Sequence, residues 1–509
     1  MDSFAQLSDL INQHKTNSNS AIIFDDKEIS FNDLYASAYA LAREIKNSLG
    51  LEHQIIGIFI PGSIDYCISY LAITLSGNII FPFSINQKKD EFRRTISYLP
   101  ITCIITNQRY VDTLRKKHEL SNLSIIDVSG YVYQSASLIN FTSEIVSALE
   151  NVALILQTSG SYYAPKSVML THKNLISCAS SIINSLGINA SDKSLIVLPM
   201  QYGSANTSQF LTHLYVGGCI FFSSRIFSPQ SLFFNLNKYG ITNFTCVPTV
   251  AYHLLNQKQL LNDNSLDSLR YICYGGAPSN QESIGQLISN YPHIQFIHMY
   301  GQTEASTRVS HYFEPLKKRK AGCVGKPIPG VHLRIVDGNG NTAGAFQRGE
   351  IVVTGENVMK GYFLRPEETR MILKDSELYT GDIGYLDSSG NLFITGRKKN
   401  IIIKGGENIY PEEIEDVLLS HQDILEAQVV GEEDDLWGEI PIAYLVVKTE
   451  SETECFIREI QTFCMQRLSN HKVPQALIFV NEFQKTNNGK IIRGAQYDNA
   501  GKRTYKNNY

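Results

Sequence analysis

Between residues 154 and 172 the chain reads LILQTSGSYYAPKSVMLTH, an apolar run followed by clustered hydroxyls, a glycine and a lysine. Thr158, Ser159 and Ser161 offer hydroxyls, Gly160 leaves backbone N–H groups accessible, and Lys166 adds a positive charge. Several donors and a cation in one loop suit the oxygens of a triphosphate. The spacing differs from GxxxxGK[ST], so the common P-loop fold is not expected. Taken alone, the same residues read equally well as a polar turn.

Such a loop needs a scaffold, and the flanking sequence predicts one. Ser30 and Asp33 open an amphipathic stretch, FNDLYASAYALAREIKNSL, with Ser30 as its N-cap. IIGIFI reads as a buried strand, IDYCISYLAITLSG as a helix, and NIIFPF and CIIT as further strands. After residue 170 the pattern resumes with a helix over NLISCASSIINSLG, a strand at SLIVLP, another helix, then GCIFF and YICYGG. Alternation of this kind implies parallel sheets with crossover helices. Beyond Gly330, VHLRIVD, GEIVVTG and NLFITG are short strands separated by DGNGN, TGEN and DSSGN. These turn signals predict a small antiparallel, barrel-like unit over 331–396. Past Gly396 the chain becomes charged and mixed, with PEEIEDVLLS and SETECFIREIQTFCMQRL helical and EAQVVGEE and IAYLVVK strand-like. The expected class is therefore α/β. A large N-terminal domain of doubly wound mixed sheets would span 1–396, and a small α+β domain 397–509, with the boundary at Gly396–Lys399.

Composition narrows the function. The 509 residues exceed one simple core, and 43% hydrophobic with 18% charged residues specify a folded chain. A net charge of −4 supplies no basic field, so nucleic acid is set aside as a partner. Met1–Gln13 lacks the basic start and apolar core of a secretory signal, and no apolar run is long enough to span a membrane. Nine widely spaced cysteines without a Cys-x-x-Cys pair read as reduced core residues of a cytoplasmic protein.

The segment at 158–168 resembles the phosphate-binding loop of the adenylate-forming superfamily, which includes acyl-CoA synthetases, adenylation domains of peptide synthetases and luciferases. That family usually reads TSGTTGxPKGV. Here Thr158-Ser159-Gly160-Ser161 and Pro165-Lys166 are kept, whereas Tyr162-Tyr163 replaces Thr-Gly and Ser167 replaces the glycine after lysine. Four further segments follow in the family's order. Gly275, Gly276 and Ala277 in YGGAP look like its adenine-contacting turn. MYGQTEAS is similar to its YGxTE motif. By that resemblance Tyr300 would lie against adenine, with Gly301 beside it. Thr303 would bond the α-phosphate, and Glu304 would ligate Mg²⁺, a hard cation that prefers oxygen. In LYTGDIGYLD, Asp382 would accept from both ribose hydroxyls. In ITGRKKNIIIKGGENIYPEEIE, Arg397 would contact ribose or phosphate and Lys399 would sit at an interdomain hinge. Gly405-Gly406 would line a passage for a phosphopantetheine arm. In FQKTNNGKIIR, Lys490 would be the mobile lysine that neutralises charge as a carboxylate attacks the α-phosphate.

The resemblance implies an ATP- and Mg²⁺-dependent ligase that makes an acyl-adenylate and passes the acyl group to the thiol of CoA or a carrier protein. The acid pocket would be formed by Tyr202, Asn206, Ser208, Thr249 and Tyr274. No Asp or Glu lies between Met200 and Leu214, so the ammonium-pairing aspartate of peptide-synthetase domains is missing. The histidine that acyl-CoA synthetases place near Tyr202 is missing too. Through Tyr202, Asn206 and Thr212-His213-Leu214 the stretch resembles stand-alone ligases that load proline-like acids onto carrier proteins. Its polar residues suggest a small or polar acid. A luciferase-like oxidase shares the motifs, although no C-terminal Ser-Lys-Leu is present. A nucleotide-binding pseudoenzyme is motivated by Tyr162-Tyr163 alone.

Overall fold

The structure, a computed structural model, describes every residue except 1–4, 51, 118–122, 135–140, 159–165, 225–227, 256–265, 277–278, 280, 316–319, 321, 406, 435, 449–453, 486–490, 494–503 and 507–509. Ser159, Gly160, Ser161, Tyr162, Tyr163, Ala277, Gly406 and Lys490 therefore lie outside the described residues.

Helices and strands follow the local signals closely. The helix Phe31–Leu49 starts at Ser30, whose hydroxyl accepts from the Asp33 N–H, and ends at Gly50 in the left-handed region. Ile55–Ile58 is a strand buried along its whole length, as a β-branched run between helices requires. The helix His172–Leu186 begins with a reciprocal cap between Thr171 and Asn174.

Three sheets organise these elements. The parallel centre of the first holds Ser20–Phe24, Cys219–Phe222, Lys193–Ile196, Asn243–Cys246, Tyr271–Gly275 and Gln295–Tyr300. The second has Val152–Gln157, Ile79–Pro82, Ile55–Ile58, Ile101–Thr106 and Ser124–Asp127 as parallel neighbours. One apolar core joins both. It takes Ile22 and Ile220 from the first sheet, Ile56 and Ile80 from the second, and Leu41, Tyr70 and Ile182 from the helices between them. The result is an α/β body of two mixed sheets around shared helices.

The antiparallel unit is present in Val331–Val336, Gly349–Gly355, Glu377–Leu386 and Leu392–Arg397. It is continuous with the first sheet. Cys323–Pro327 pairs with Leu392–Arg397 on one side and Ser310–Phe313 on the other, and Ser310–Phe313 pairs with Gln295–Tyr300. A ladder of backbone bonds thus links the strand carrying Tyr300 to the strand carrying Asp382.

The third sheet is built from residues beyond 401. Ile424–Asp434 and Gly438–Val447 form its long antiparallel pair, and Ala476–Phe479 runs parallel to the latter. Helices Pro411–Leu419 and Glu454–Met465 cover it, burying Ile414, Leu418, Ile457 and Ile460 against Val429 and Leu445. This is a small α+β module with its own core.

Two local features bear on the site. The 158–166 segment joins two antiparallel strands rather than opening a helix, because Gln157 pairs with Ser167 and the Thr158 N–H bonds the Lys166 carbonyl at 3.0 Å. The helical stretch at 203–216 is broken into three pieces, with a π-helical turn at Asn206–Leu211 between Gly203–Ala205 and Thr212–Val216. Such wide turns are rare and frequent at functional sites.

Candidate active site

Tyr274-Gly275 and Tyr300 stand at the carboxyl ends of adjacent parallel strands, where open α/β sheets bind ligands. Tyr300 is half-buried, and its phenol donates to Asp382 Oδ2 at 2.7 Å. Arg397 pairs with the other oxygen, Oδ1, at 2.8 Å. The sheet register sets this up, since Asp382 and Arg397 are direct cross-strand partners. Asp382 is 2% exposed, whereas half of the Arg397 side chain faces solvent. Three residues separated by up to 97 positions in sequence therefore form one hydrogen-bonded group.

Gly301 follows Tyr300. A Cβ there would stand 2.0 Å from the Thr307 carbonyl oxygen and 2.9 Å from the Arg308 Cα, so only glycine lets the chain fold back on itself. The fold-back is closed by bonds from Thr307 N to Gln302 O and from Val309 N to Tyr300 O. Thr303-Glu304-Ala305 forms a single 3₁₀ turn within it.

Glu304 is the centre of a second cluster. Its Oε1 accepts from the Tyr362 phenol at 2.7 Å, and its other oxygen has no partner among the described residues. Burial, and then the Glu304 charge, push the Tyr362 phenol well above its ordinary range, so it remains a donor. The Lys166 ammonium lies 4.6 Å above the Tyr362 ring centre and pairs with Glu368 at 3.0 Å. Glu368 also accepts from Arg365 at 2.6 Å. The Arg365 hydrogen bond, followed by that of Lys166, holds the Glu368 carboxyl below its usual range. A carboxylate oxygen left open beside a lysine-bearing loop fits the oxygen donor set of Mg²⁺.

The expected pocket residues divide. Tyr202 is half-buried just before the 203–216 stretch, Thr249 is exposed on the short helix Pro248–Tyr252, and Ser208 is buried with a hydroxyl that has no partner among the described residues. Asn206 is fully buried, and its Oδ1 accepts from the Tyr70 phenol at 3.0 Å. Tyr274 stacks on His298, donates to Glu314 at 2.6 Å, and packs in a separate apolar cluster with Phe244 and Phe296. Cys273 and Met299 belong to the core on the opposite face of the same strands. Asn206 and Tyr274 are thus buried, with polar atoms engaged by Tyr70 and Glu314.

In the third sheet Gly405 has φ +59° and bonds the Trp437 carbonyl through its N–H at 2.7 Å. A Cβ at Gly405 would come within 3.0 Å of the Trp437 ring. Lys399 lies between the strand ending at Arg397 and the third sheet; its side chain is exposed overall, but partial desolvation of its ammonium, and then the nearby Arg397 charge, lower its pKa. Around Lys490, Lys485 and Ile491 form an antiparallel bridge, and Arg493 bonds Glu415 at 2.6 Å.

Tyr362, Glu368 and Trp437 were not expected from sequence. Tyr362 sits in GYFLRP, and only the pairing of Gly361–Tyr362 with Val168–Met169 brings it to Glu304. Trp437 is 47% exposed beside Gly405, and its being the sole tryptophan was the one sign of it in the sequence.

An acid–arginine pair and an open carboxylate stand at the carboxyl edge of an α/β sheet that is followed by an α+β module. The AMP-binding enzyme family matches residues 11–363, and the AMP-binding enzyme C-terminal domain matches residues 413–490. The chain belongs to the AMP-binding enzyme family. It is 29% identical over 473 residues to 2-succinylbenzoate–CoA ligase of Bacillus cereus, covering 93% of this chain and 94% of that one. It is 28% identical over 482 residues to the Bacillus subtilis enzyme of the same name. The structure of O-succinylbenzoate coenzyme A synthetase from Bacillus subtilis in complex with ATP and magnesium ion superposes with a TM-score of 0.82 at 26% identity, covering 96% of this chain and 98% of that one. ATP-bound MatB from Rhodopseudomonas palustris shares the fold, with a TM-score of 0.83 at 24% identity and coverage of 95% and 96%.

Proposed function

We propose that this chain, an AMP-forming acid–thiol ligase by family, joins its carboxylic acid to coenzyme A. The observation that carries the reading is the Tyr300–Asp382–Arg397 group beside the Glu304–Tyr362–Lys166 cluster. In the first step an acid carboxylate oxygen bonds the α-phosphorus of ATP, and the bond from that phosphorus to the departing pyrophosphate breaks. In the second, a thiolate sulfur bonds the acyl carbon and AMP leaves. Charge develops on phosphate oxygens in the first step, so cations and donors placed there lower the barrier.

Asp382 would take the ribose hydroxyls, displacing part of its contact with Tyr300, while Arg397 neutralises the carboxylate. Tyr300 and the Gly275–Ala277 turn would flank adenine. The 158–166 loop would hold the β- and γ-phosphates, with Lys166 leaving Glu368 for them. Thr303 would meet the α-phosphate, and Lys490 would reach the same oxygens. Mg²⁺, held through the open oxygen of Glu304, would draw charge from the phosphates. Each role rests on the family motif and on the placement given above.

The two-step reading includes a C-terminal module over 397–509 that turns about Lys399 and brings Gly405-Gly406 to the site for the thiol. The left-handed φ of Gly405 and its closeness to Trp437 support a passage that tolerates no side chain there. CoA is favoured over a carrier protein because the similar proteins are named CoA ligases at full-length coverage. Their named acid, 2-succinylbenzoate, is the first to test. The nine described cysteines are unpaired, which supports a cytoplasmic location, and among the described residues no helix is long and apolar enough to cross a membrane.

The test supplies ATP, Mg²⁺ and a panel of acids that includes 2-succinylbenzoate, aromatic and short aliphatic acids, and proline. CoA or a phosphopantetheinylated carrier protein is the acceptor, and thioesters are read by mass. Acyl-CoA with AMP is expected. Thioester on the carrier alone, or proline as the only acid used, would reverse the choice of acceptor.

A further inference from the structure

Lys166 closes the 158–166 loop, and its charge is already engaged in this structure. The ammonium pairs with Glu368 Oε2 at 3.0 Å and lies 4.6 Å above the Tyr362 ring centre. The Lys166 and Glu368 side chains are 34% and 32% exposed, so water reaches the pair and it can open. Glu368 also holds a second cation, since Arg365 Nη1 donates to its Oε1 at 2.6 Å. The carboxylate therefore keeps a partner, and its charge, when the lysine departs.

Core packing does not put Glu368 there, because its helix, Pro366–Ile372, buries none of its residues. The helix is pinned by polar contacts to the strand that leaves the loop. Gly361–Tyr362 pairs with Val168–Met169, just past Lys166, and the Phe363 N–H bonds the Ser167 carbonyl at 2.9 Å. Thr369, next to Glu368, accepts from the Tyr362 N–H at 3.0 Å and donates its hydroxyl to the Arg365 carbonyl at 2.8 Å. The backbone thus fixes Glu368 opposite Lys166. A polyphosphate that takes the Lys166 ammonium must take it from Glu368, and the carboxylate repels the same phosphate oxygens. Once pyrophosphate has formed, the exchange runs backwards, and Glu368 competes for the ammonium as the anion leaves.

We infer that Glu368 is a positioning residue that trades Lys166 with the substrate: it holds the ammonium before ATP arrives and reclaims it as pyrophosphate departs. It thereby weakens the grip on both polyphosphates and speeds release of the second. The inference rests on the ligase reading, in which Lys166 meets the β- and γ-phosphates, and gives a part to a residue outside the sequence motifs.

The experiment titrates ATP, pyrophosphate and AMP into the full chain by calorimetry, with Mg²⁺ present, and measures inhibition of acyl-CoA formation by added pyrophosphate. Glu368→Gln should tighten ATP and pyrophosphate by about 3- to 10-fold, the scale of one partly exposed ion pair and the repulsion that goes with it. AMP, which lacks the outer phosphates, should bind as in wild type, and pyrophosphate should inhibit at a correspondingly lower concentration. Glu368→Ala should repeat the pattern. Glu367→Gln removes the same charge one residue away, where the carboxylate pairs with Arg370, and should shift none of the three ligands. Unchanged or weaker ATP in both Glu368 variants would overturn the inference, as would equal tightening of AMP or an equal gain in Glu367→Gln. Any of these with wild type still forming acyl-CoA would leave the ligase standing. Wild type that neither binds ATP nor forms acyl-CoA would sink both.

Discussion

The Tyr362 phenol donates to Glu304 Oε1 at 2.7 Å, although 58 residues separate the two. That bond turns the carboxylate so that one oxygen is held and the other is open. The same ring lies beneath the Lys166 ammonium. One side chain thus orients both the proposed metal ligand and the base of the phosphate loop.

Tyr362→Phe keeps the ring and removes the bond. A hydrogen bond to a charged group contributes about 1.5–3 kcal/mol, so the variant should need a higher Mg²⁺ concentration for half-maximal pyrophosphate exchange, with lower kcat at saturating ATP. Titration of exchange against Mg²⁺ checks this. An unchanged Mg²⁺ dependence would remove Tyr362 from the site.

Asp382→Ala should weaken ATP by about 10- to 100-fold, because it deletes an acceptor for the ribose and leaves Arg397 without its partner. Calorimetric titration with ATP and a thermal melt of the free protein separate binding from folding. ATP affinity equal to wild type would place the nucleotide elsewhere.

Lys490→Ala should lower adenylate formation by about 100-fold or more, comparable to the loss of one transition-state donor. Thioester formation from a preformed acyl-adenylate should be nearly unaffected. Glu415→Ala should give a weaker version of the same split, because Arg493 anchors the segment after Lys490 through Glu415. Equal losses in both half-reactions would contradict the role given to Lys490.

His213 yields a pH dependence. It is 1% exposed, its Nδ1 donates to the Gln209 carbonyl at 2.8 Å, and its Nε2 accepts from the Asn243 amide at 3.1 Å. Burial pushes its pKa down to about 4, below the ordinary 6.5. Between those values the unfolded chain binds the proton and the folded one does not. Stability is therefore full above about pH 6.5 and falls as pH drops toward 4, by on the order of 2–3 kcal/mol. Urea unfolding at pH 7 and pH 5 should show the loss, and His213→Gln should reduce it. The same pH slope in the variant would assign the effect to other groups.

Much of this architecture was legible in the chain. Ile55–Ile58 and Ile64–Leu75 stand out because a fully apolar strand and a capped apolar helix have few alternative readings. Tyr300, Asp382 and Arg397 were legible as motif positions, and the continuous sheet explains why they meet. Tyr362 was not, since it is an ordinary residue in its own segment and gains meaning only from strands paired over long distances. The burial of Asn206 and Tyr274 was not legible either. Their polar atoms are used by Tyr70 and Glu314, and which face a side chain takes depends on the assembled sheet. The β unit looked separate because turn signals bound it, while its pairing with the first sheet runs through Ser310–Phe313, a strand without such signals.

The central claim is that a substrate carboxylate oxygen attacks the α-phosphorus of ATP. It is tested most directly with an accepted acid carrying ¹⁸O in its carboxylate, turned over with ATP, Mg²⁺ and CoA, and followed by mass spectrometry of the products. The account predicts one ¹⁸O in the phosphate of AMP and none in pyrophosphate, because the oxygen bonded to phosphorus in the adenylate leaves with AMP when sulfur takes the acyl group. Label in orthophosphate alongside ADP, or AMP free of label, would contradict it.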